Sequence, residues 1–177
     1  MADALLVIDA QVQLVEAAPD GAAMVERLAG LVAQAHEARV PVIFVRHDGD
    51  DGVWLIPDTP GWQVDPRLGG DGGDLVIRKR ACDAFIDTPL GTELAARGIE
   101  RLIIGGMQTE YCVDTTVRRA VAEGYKVILI ADGHTTLDSS VLPAATIVRH
   151  HNATLNYFGV GHATVSLAQA ADIRFGA

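Results

Sequence analysis

The feature that most limits how this chain can fold is a regular alternation of two apolar patterns. Runs of strand length recur along the sequence: "ALLVID" (4–9), "VPVIFVRH" (40–47), "DLVIRK" (74–79), "ERLIIGGM" (100–107), "YKVILIAD" (125–132) and "HATVSL" (162–167). Several are almost continuously apolar, as expected of strands covered on both faces. Between them lie stretches of helical period. In "MVERLAGLVAQAHEA" (24–38), Val25, Leu28, Leu31, Val32 and Ala35 share one face. A second helix is predicted over 88–98, where Thr88 can cap, Pro89 suits the first turn and Gly98 can end it. A third runs from about 110 to 123, with Gly124 as its stop. A fourth falls within "SSVLPAATIVRHHNATL", with Pro143 in or near its first turn. This order predicts an α/β three-layer sandwich, a central and mostly parallel six-stranded sheet with helices on both faces.

The stretch 48–73, "DGDDGVWLIPDTPGWQVDPRLGGDGG", breaks the alternation and carries both tryptophans. Two tryptophans favour an ordered loop, a pocket wall or a subunit contact, over a disordered one. No repeat or linker divides the 177 residues, so one domain over 1–177 is expected. The net charge of −9, with "RKR" (78–80) as the densest basic cluster, argues against nucleic acid and anionic membranes as partners. The start, "MADALLVIDAQ", has no basic stretch before its short apolar run, and that run is too short for a membrane span. With only two cysteines, both expected to be free thiols, these features point to a cytoplasmic protein.

In open parallel sheets, ligands bind beyond the carboxyl ends of the strands. The polar residues there are Asp9, His47, Asp48, Lys79, the segment 105–112, Asp132 and His134. Three of them form a chemically sensible set. A thiolate, not a thiol, is the nucleophile. Cys112 falls near a helix N-terminus, where unpaired amides favour negative charge. Lys79, one of two lysines against twelve arginines, can add a cation. Asp9 can take the thiol proton and return it to a leaving amine. Each residue also has a plainer reading: Asp9 as a turn cap, Lys79 as a solvated strand end, Cys112 as core. Their convergence on one sheet edge favours chemistry. No Gly-x-Gly-x-x-Gly follows the first strand, which removes a dinucleotide-binding domain from consideration.

Several blocks carry a family resemblance. "LLVIDAQ", "TPGWQVDPRL", "RKRACDAFIDTPL" and "GIERLIIGGMQTEYCVDTTVRRAVAEGYKVILIADG" together resemble the isochorismatase-like cysteine hydrolases, which include nicotinamidases, N-carbamoylsarcosine amidohydrolases and ureidoacrylate amidohydrolases. The resemblance implies a Rossmann-like fold and a catalytic triad of Asp9, Lys79 and Cys112. It implies a cis peptide at Met107–Gln108 and an oxyanion hole from the backbone amides of Gln108 and Cys112. It also implies a homo-oligomer, a dimer or tetramer, for which the apolar "TLNYFGVGHATVSL" offers modest sequence support. No cofactor is expected beyond a small-molecule substrate.

The chain also departs from its relatives. Nicotinamidases bind a metal through Asp-x-His after the second strand, but here the order is "RHDGDDG", so no metal is expected and His47 reads as a strand-end hydrogen-bonder. Asp48, Asp50, Asp51 and Asp58 read as a solvated acidic loop, not a calcium site. Asp83 stands where many relatives have serine and is expected to cap a turn rather than bind a substrate amine. Cys82 is expected to be structural. Trp54, Trp62, Phe85 and Tyr111 are candidate pocket residues, with packing as the alternative for each. An intact Cys112 favours hydrolysis of an amide, carbamoyl or imide C–N bond through a thioester. The alternatives are an isochorismatase-type ether hydrolase and a non-catalytic small-molecule-binding relative.

Overall fold

The computed structural model describes residues 1–49 and 52–175; Asp50 and Asp51 of the acidic loop lie outside them. Strand β1 (Asp3–Ile8) is followed by helices α1 (Val12–Ala17) and α2 (Gly21–Glu37), then β2 (Val42–His47) and β3 (Leu75–Lys79). Helix α3 (Leu90–Ala96), β4 (Arg101–Gly106), α4 (Asp114–Ala122) and β5 (Lys126–His134) come next. The chain continues through α5 (Ala144–Leu155), β6 (Gly159–Val160) and β7 (Ala163–Ala168).

The sheet order is β3-β2-β1-β4-β5-β7-β6, parallel throughout except for the antiparallel β6–β7 pair. The expected α/β architecture is therefore present, with seven strands in place of six. The extra strand, β6, has two residues and carries no periodic signal. Helix α1 was also not predicted from the sequence, because six residues are too few to display a helical face.

Alternate side chains of β1 serve the two faces of the sheet, which makes the layers. Leu5 and Val7 pack with Val25, Leu28 and Leu31 of α2. Ala4, Leu6 and Ile8 pack with Leu90 and Leu94 of α3, Val117 of α4 and Leu155 of α5. Because β1 is buried on both faces and both edges, its carboxyl end is a fixed point. There the chain order reverses between β1 and β4, and the crevice opens at that position. Among the described residues no helix is long and apolar enough to cross a membrane.

The loop after β2 is ordered around one side chain. Trp62 is buried, its indole N–H donates to Asp48 Oδ1 at 2.9 Å, and the Arg46 guanidinium lies 3.7 Å from the ring centre. Short 3-10 turns at Pro60–Trp62 and Pro66–Leu68 each begin on a proline, which presets the backbone. Gln11 ties this loop to the sheet: its Nε2 donates to Trp62 O (2.7 Å) and His47 O (3.1 Å), and its Oε1 accepts from His47 N (2.8 Å). Gln13 does the same one pleat on, accepting from Leu55 N at 2.8 Å and donating to Val53 O at 3.2 Å.

Candidate active site

Asp9 is the first residue beyond β1. Its φ of +46° lies in the left-handed region, unusual for a residue other than glycine but tolerated by aspartate. Its N–H still bonds Val45 O at 2.9 Å, so the chain turns sharply while anchored to β2. Lys79 ends β3 and reaches across β2 into the same space. Its Nζ lies 2.7 Å from Asp9 Oδ2, and both side chains are almost wholly sealed from solvent.

Cys112 arrives from β4 through a tight turn. At Gly106, φ is +122°, and a Cβ built there would stand 1.9 Å from Ile8 O, so only glycine fits. The next peptide N–H, from Met107, bonds that same oxygen at 2.7 Å. Met107–Gln108 is a cis peptide, as the family resemblance implied. Gln108 O then accepts from both Tyr111 N and Val113 N, each at 3.1 Å, which winds Thr109–Val113 as one π-turn leading into α4. The helix expected from about residue 110 is thus a π-turn followed by an α-helix. Wide turns of this kind are frequent at functional sites.

These elements bring Cys112 Sγ to 3.1 Å from Lys79 Nζ. Lys79 Nζ also lies 3.0 Å from Ala81 O and 3.1 Å from His47 Nδ1. Three N–H groups therefore face four acceptors, and one acceptor must wait. Burial raises the pKa of the Cys112 thiol, and the Asp9 carboxylate raises it further, against the opposing pull of Lys79. At rest the sulfur is a thiol and the weakest of the four acceptors. Burial disfavours the Lys79 cation, but Asp9 and Cys112 outweigh it and the pKa of Lys79 rises. Asp9 Oδ1 is buried and takes no hydrogen bond from another polar side chain or backbone group among the described residues. A carboxylate oxygen of Asp9 lies within 4.8 Å of the sulfur.

A cavity of about 430 Å³ opens over this group. Asp9, His47, Gln108 and Cys112 supply its polar side, and Trp54, Leu55, Tyr111 and Leu137 contribute to its apolar wall. Gln108 N–H has no acceptor among the described residues, so it is available to a ligand. Of the four aromatic candidates, Trp54 and Tyr111 border the cavity. Trp62 does not: it is packed in the core beneath the loop. Phe85 does not line the cavity either and stands beside Tyr125, ring centres 6.2 Å apart.

Cys82 is exposed and borders the same cavity, a location that the structural role expected of it does not describe. Asp83 accepts from Phe85 N at 2.8 Å, the turn cap that the sequence suggested, with Arg119 3.6 Å from its other oxygen. Asp48 holds Trp62 and Arg78, and these two contacts outweigh burial to lower its pKa.

Asp9, His47 and Cys112 could offer donor atoms to a metal ion, since these lie within 4.8 Å of one another. The Lys79 ammonium occupies the same neighbourhood, within 3.1 Å of each residue, so a metal ion there would meet a positive charge. The donor set does not fit a metal.

The "Isochorismatase domain" family model matches residues 3–159. The chain is 39% identical over 145 residues to a streptothricin hydrolase of Streptomyces noursei, covering 80% of this chain and 51% of that protein. It therefore spans about half the length of that relative. An uncharacterized isochorismatase family protein of Bacillus subtilis (strain 168) is 30% identical over 182 residues, covering 96% of this chain and 98% of the other. Among solved structures, an isochorismatase from Pseudomonas putida KT2440 superposes with a TM-score of 0.86 at 31% identity, covering 97% of this chain and 89% of that one. With the strand-end site and the matched span in agreement, the chain belongs to the isochorismatase family.

Proposed function

We propose that this chain is a cysteine hydrolase that cleaves the C–N bond of a small amide, carbamoyl or imide compound. The observation that carries the reading is the placement of Lys79 Nζ on both Asp9 Oδ2 (2.7 Å) and Cys112 Sγ (3.1 Å) in a buried pocket floor. The name of the streptothricin hydrolase relative supports hydrolysis.

In the first half-reaction, Asp9 takes the thiol proton and the Cys112 sulfur attacks the substrate carbonyl carbon. Lys79 turns an N–H to the new thiolate. The carbonyl oxygen becomes an oxyanion held by the backbone amides of Gln108 and Cys112. Collapse of the adduct breaks the C–N bond as Asp9 returns its proton to the leaving nitrogen. In the second half-reaction, Asp9 takes a proton from water, hydroxide attacks the thioester, and the sulfur leaves and regains a proton. The apolar wall of Trp54, Leu55, Tyr111 and Leu137 suits a compact, planar or cyclic body on the amide.

A screen of small amides, ureas and ring imides for ammonia or amine release tests this, with Cys112→Ser as the control. Turnover that survives in Cys112→Ala would sink the covalent route. Exposed Tyr157 and Val160 at the β6 edge support the expected homodimer or tetramer, which light scattering on the purified chain would test.

A further inference from the structure

His134, at the end of β5, is a buried titratable residue with no part in the steps above. Its tautomer follows from its neighbours. Asn152 Nδ2 donates to Ala131 O at 2.9 Å, which leaves Asn152 Oδ1 as an acceptor. That oxygen lies 3.0 Å from His134 Nε2, so Nε2 carries the proton. Nδ1 is then bare and accepts from the Thr109 hydroxyl at 2.9 Å. Burial, the largest influence, pushes the imidazole pKa down to about 4 although the Asn152 hydrogen bond opposes it. At neutral pH the ring is uncharged, as the chain of hydrogen bonds requires.

Thr109 is the residue after Gln108, and Thr135, the residue just beyond β5, holds the turn at two further points. Its N–H bonds Thr135 O at 3.0 Å, and Thr135 N–H bonds Gly106 O at 3.1 Å. The backbone on both sides of Met107–Gln108 is thus pinned to one strand end. The hydroxyl of Thr109 adds a third fixing point, which ends on α5 through His134 and Asn152.

We infer that His134, oriented by Asn152, is a positioning residue: through Thr109 it fixes the 108–112 turn so that the amides of Gln108 and Cys112 meet the developing oxyanion. The inference rests on the hydrolase reading, because without an oxyanion there is nothing to position. Direct loss of an oxyanion donor costs about 10²- to 10³-fold in rate, so loosening the turn behind two such donors should cost roughly 10- to 100-fold.

The test uses Thr109→Val, which exchanges the hydroxyl for a methyl of the same shape, together with His134→Leu and the double variant. Three readouts separate the roles. The first is kcat and KM on whichever amide is turned over. The second is the equilibrium binding of propionaldehyde, whose carbonyl carbon bonds Cys112 Sγ to give a hemithioacetal, the thiol proton passing to the site or to the new oxygen. The third is the rate of Cys112 alkylation by iodoacetamide, in which sulfur displaces iodide and no oxyanion forms.

The expected result in Thr109→Val is a 10- to 100-fold fall in kcat at near-constant KM, a parallel loss of aldehyde affinity, and alkylation within about twofold of wild type. Thr109→Ser should restore all three, and the double variant should be no worse than the poorer single one. Should His134→Leu fail to fold, the two Thr109 variants decide alone. Wild-type-like aldehyde binding in Thr109→Val overturns the positioning role while leaving the hydrolase reading intact. An equal loss of alkylation overturns it too, by showing general damage. A wild-type protein that neither binds the aldehyde nor alkylates at Cys112 overturns the hydrolase reading itself, and the positioning role with it.

Discussion

Lys79 Nζ stands 2.7 Å from Asp9 Oδ2, and neither side chain is more than 1% exposed. A buried pair of this kind offsets its desolvation only while both partners are present. Lys79→Ala should therefore destabilise the protein by about 3–5 kcal/mol as well as abolish turnover. Replacing both partners, Asp9→Asn with Lys79→Met, keeps at position 9 a residue that tolerates the left-handed backbone and should recover part of the stability and none of the activity. Urea unfolding of the three proteins checks this, and a Lys79→Ala midpoint equal to wild type would show that the pair does not hold the site together.

Asp9→Asn should pull acidity and activity in opposite directions. The Asp9 charge is one of the causes that raise the Cys112 pKa, so its removal should lower that value and enrich the thiolate. Turnover should nonetheless be lost, because no group is left to carry the proton to the leaving nitrogen. Thiolate absorbance followed against pH, beside the rate of amide cleavage, provides both readouts. A variant whose thiol titrates higher than in wild type would contradict the electrostatics.

The tryptophans should separate by role. Trp54→Ala removes cavity wall and should raise KM several-fold with little change in stability. Trp62→Ala removes a packed ring and one of the two side-chain partners of Asp48 and should cost about 3–5 kcal/mol. Kinetics and thermal melts on both variants distinguish them, and a stability loss confined to Trp54→Ala would reverse the assignment.

Stability should fall on the acid side in a way traceable to His134. Its ordinary value is 6.5 and its folded value about 4. Above pH 6.5 the ring is neutral in both states and contributes no slope. Between 6.5 and 4 the unfolded chain binds a proton that the folded chain refuses, so stability declines by up to roughly 3 kcal/mol. His134→Asn, which can still accept from Thr109, should flatten that decline. Unfolding free energies measured from pH 7.5 to 4.5 in both proteins check the sign and the window.

The strand ends, and with them Asp9, Lys79 and Cys112, were legible because a parallel sheet converts short apolar runs into a known edge. The grouping of those three could be suspected because lysine and cysteine are scarce in this chain, with two of each. What stayed hidden depends on contacts rather than period. A tryptophan in a Gly- and Pro-rich loop looks the same whether it faces a cavity, as Trp54 does, or the core, as Trp62 does. The π-turn at Thr109–Val113 exists because one carbonyl, that of Gln108, accepts twice, and no hydrophobic pattern records that. His134 was noticed as a strand-end residue, but its partner Asn152 lies on α5 and is joined to it only by tertiary packing. Gln11 and Gln13 carried one signal, two amides alternating just past a strand end, though nothing in the sequence said which loop they would hold.

Those two glutamines divide the protein into parts that can change at different rates. Asp9, Lys79 and Cys112, the proposed base, cation and nucleophile, stand just beyond β1, at the end of β3 and in the turn after β4, whereas Trp54 and Leu55 of the cavity wall sit on a loop secured to Gln13. A different segment could be spliced in between the anchor points without disturbing the sheet edge, provided that Trp62 stayed in its core seat and the segment kept carbonyl and amide groups for the two glutamines to grasp. On the hydrolase reading, substrate choice is in that sense an exchangeable fitting on a fixed machine, and a chimera bearing the segment of a relative that matches 53–61 is the natural route to a new specificity.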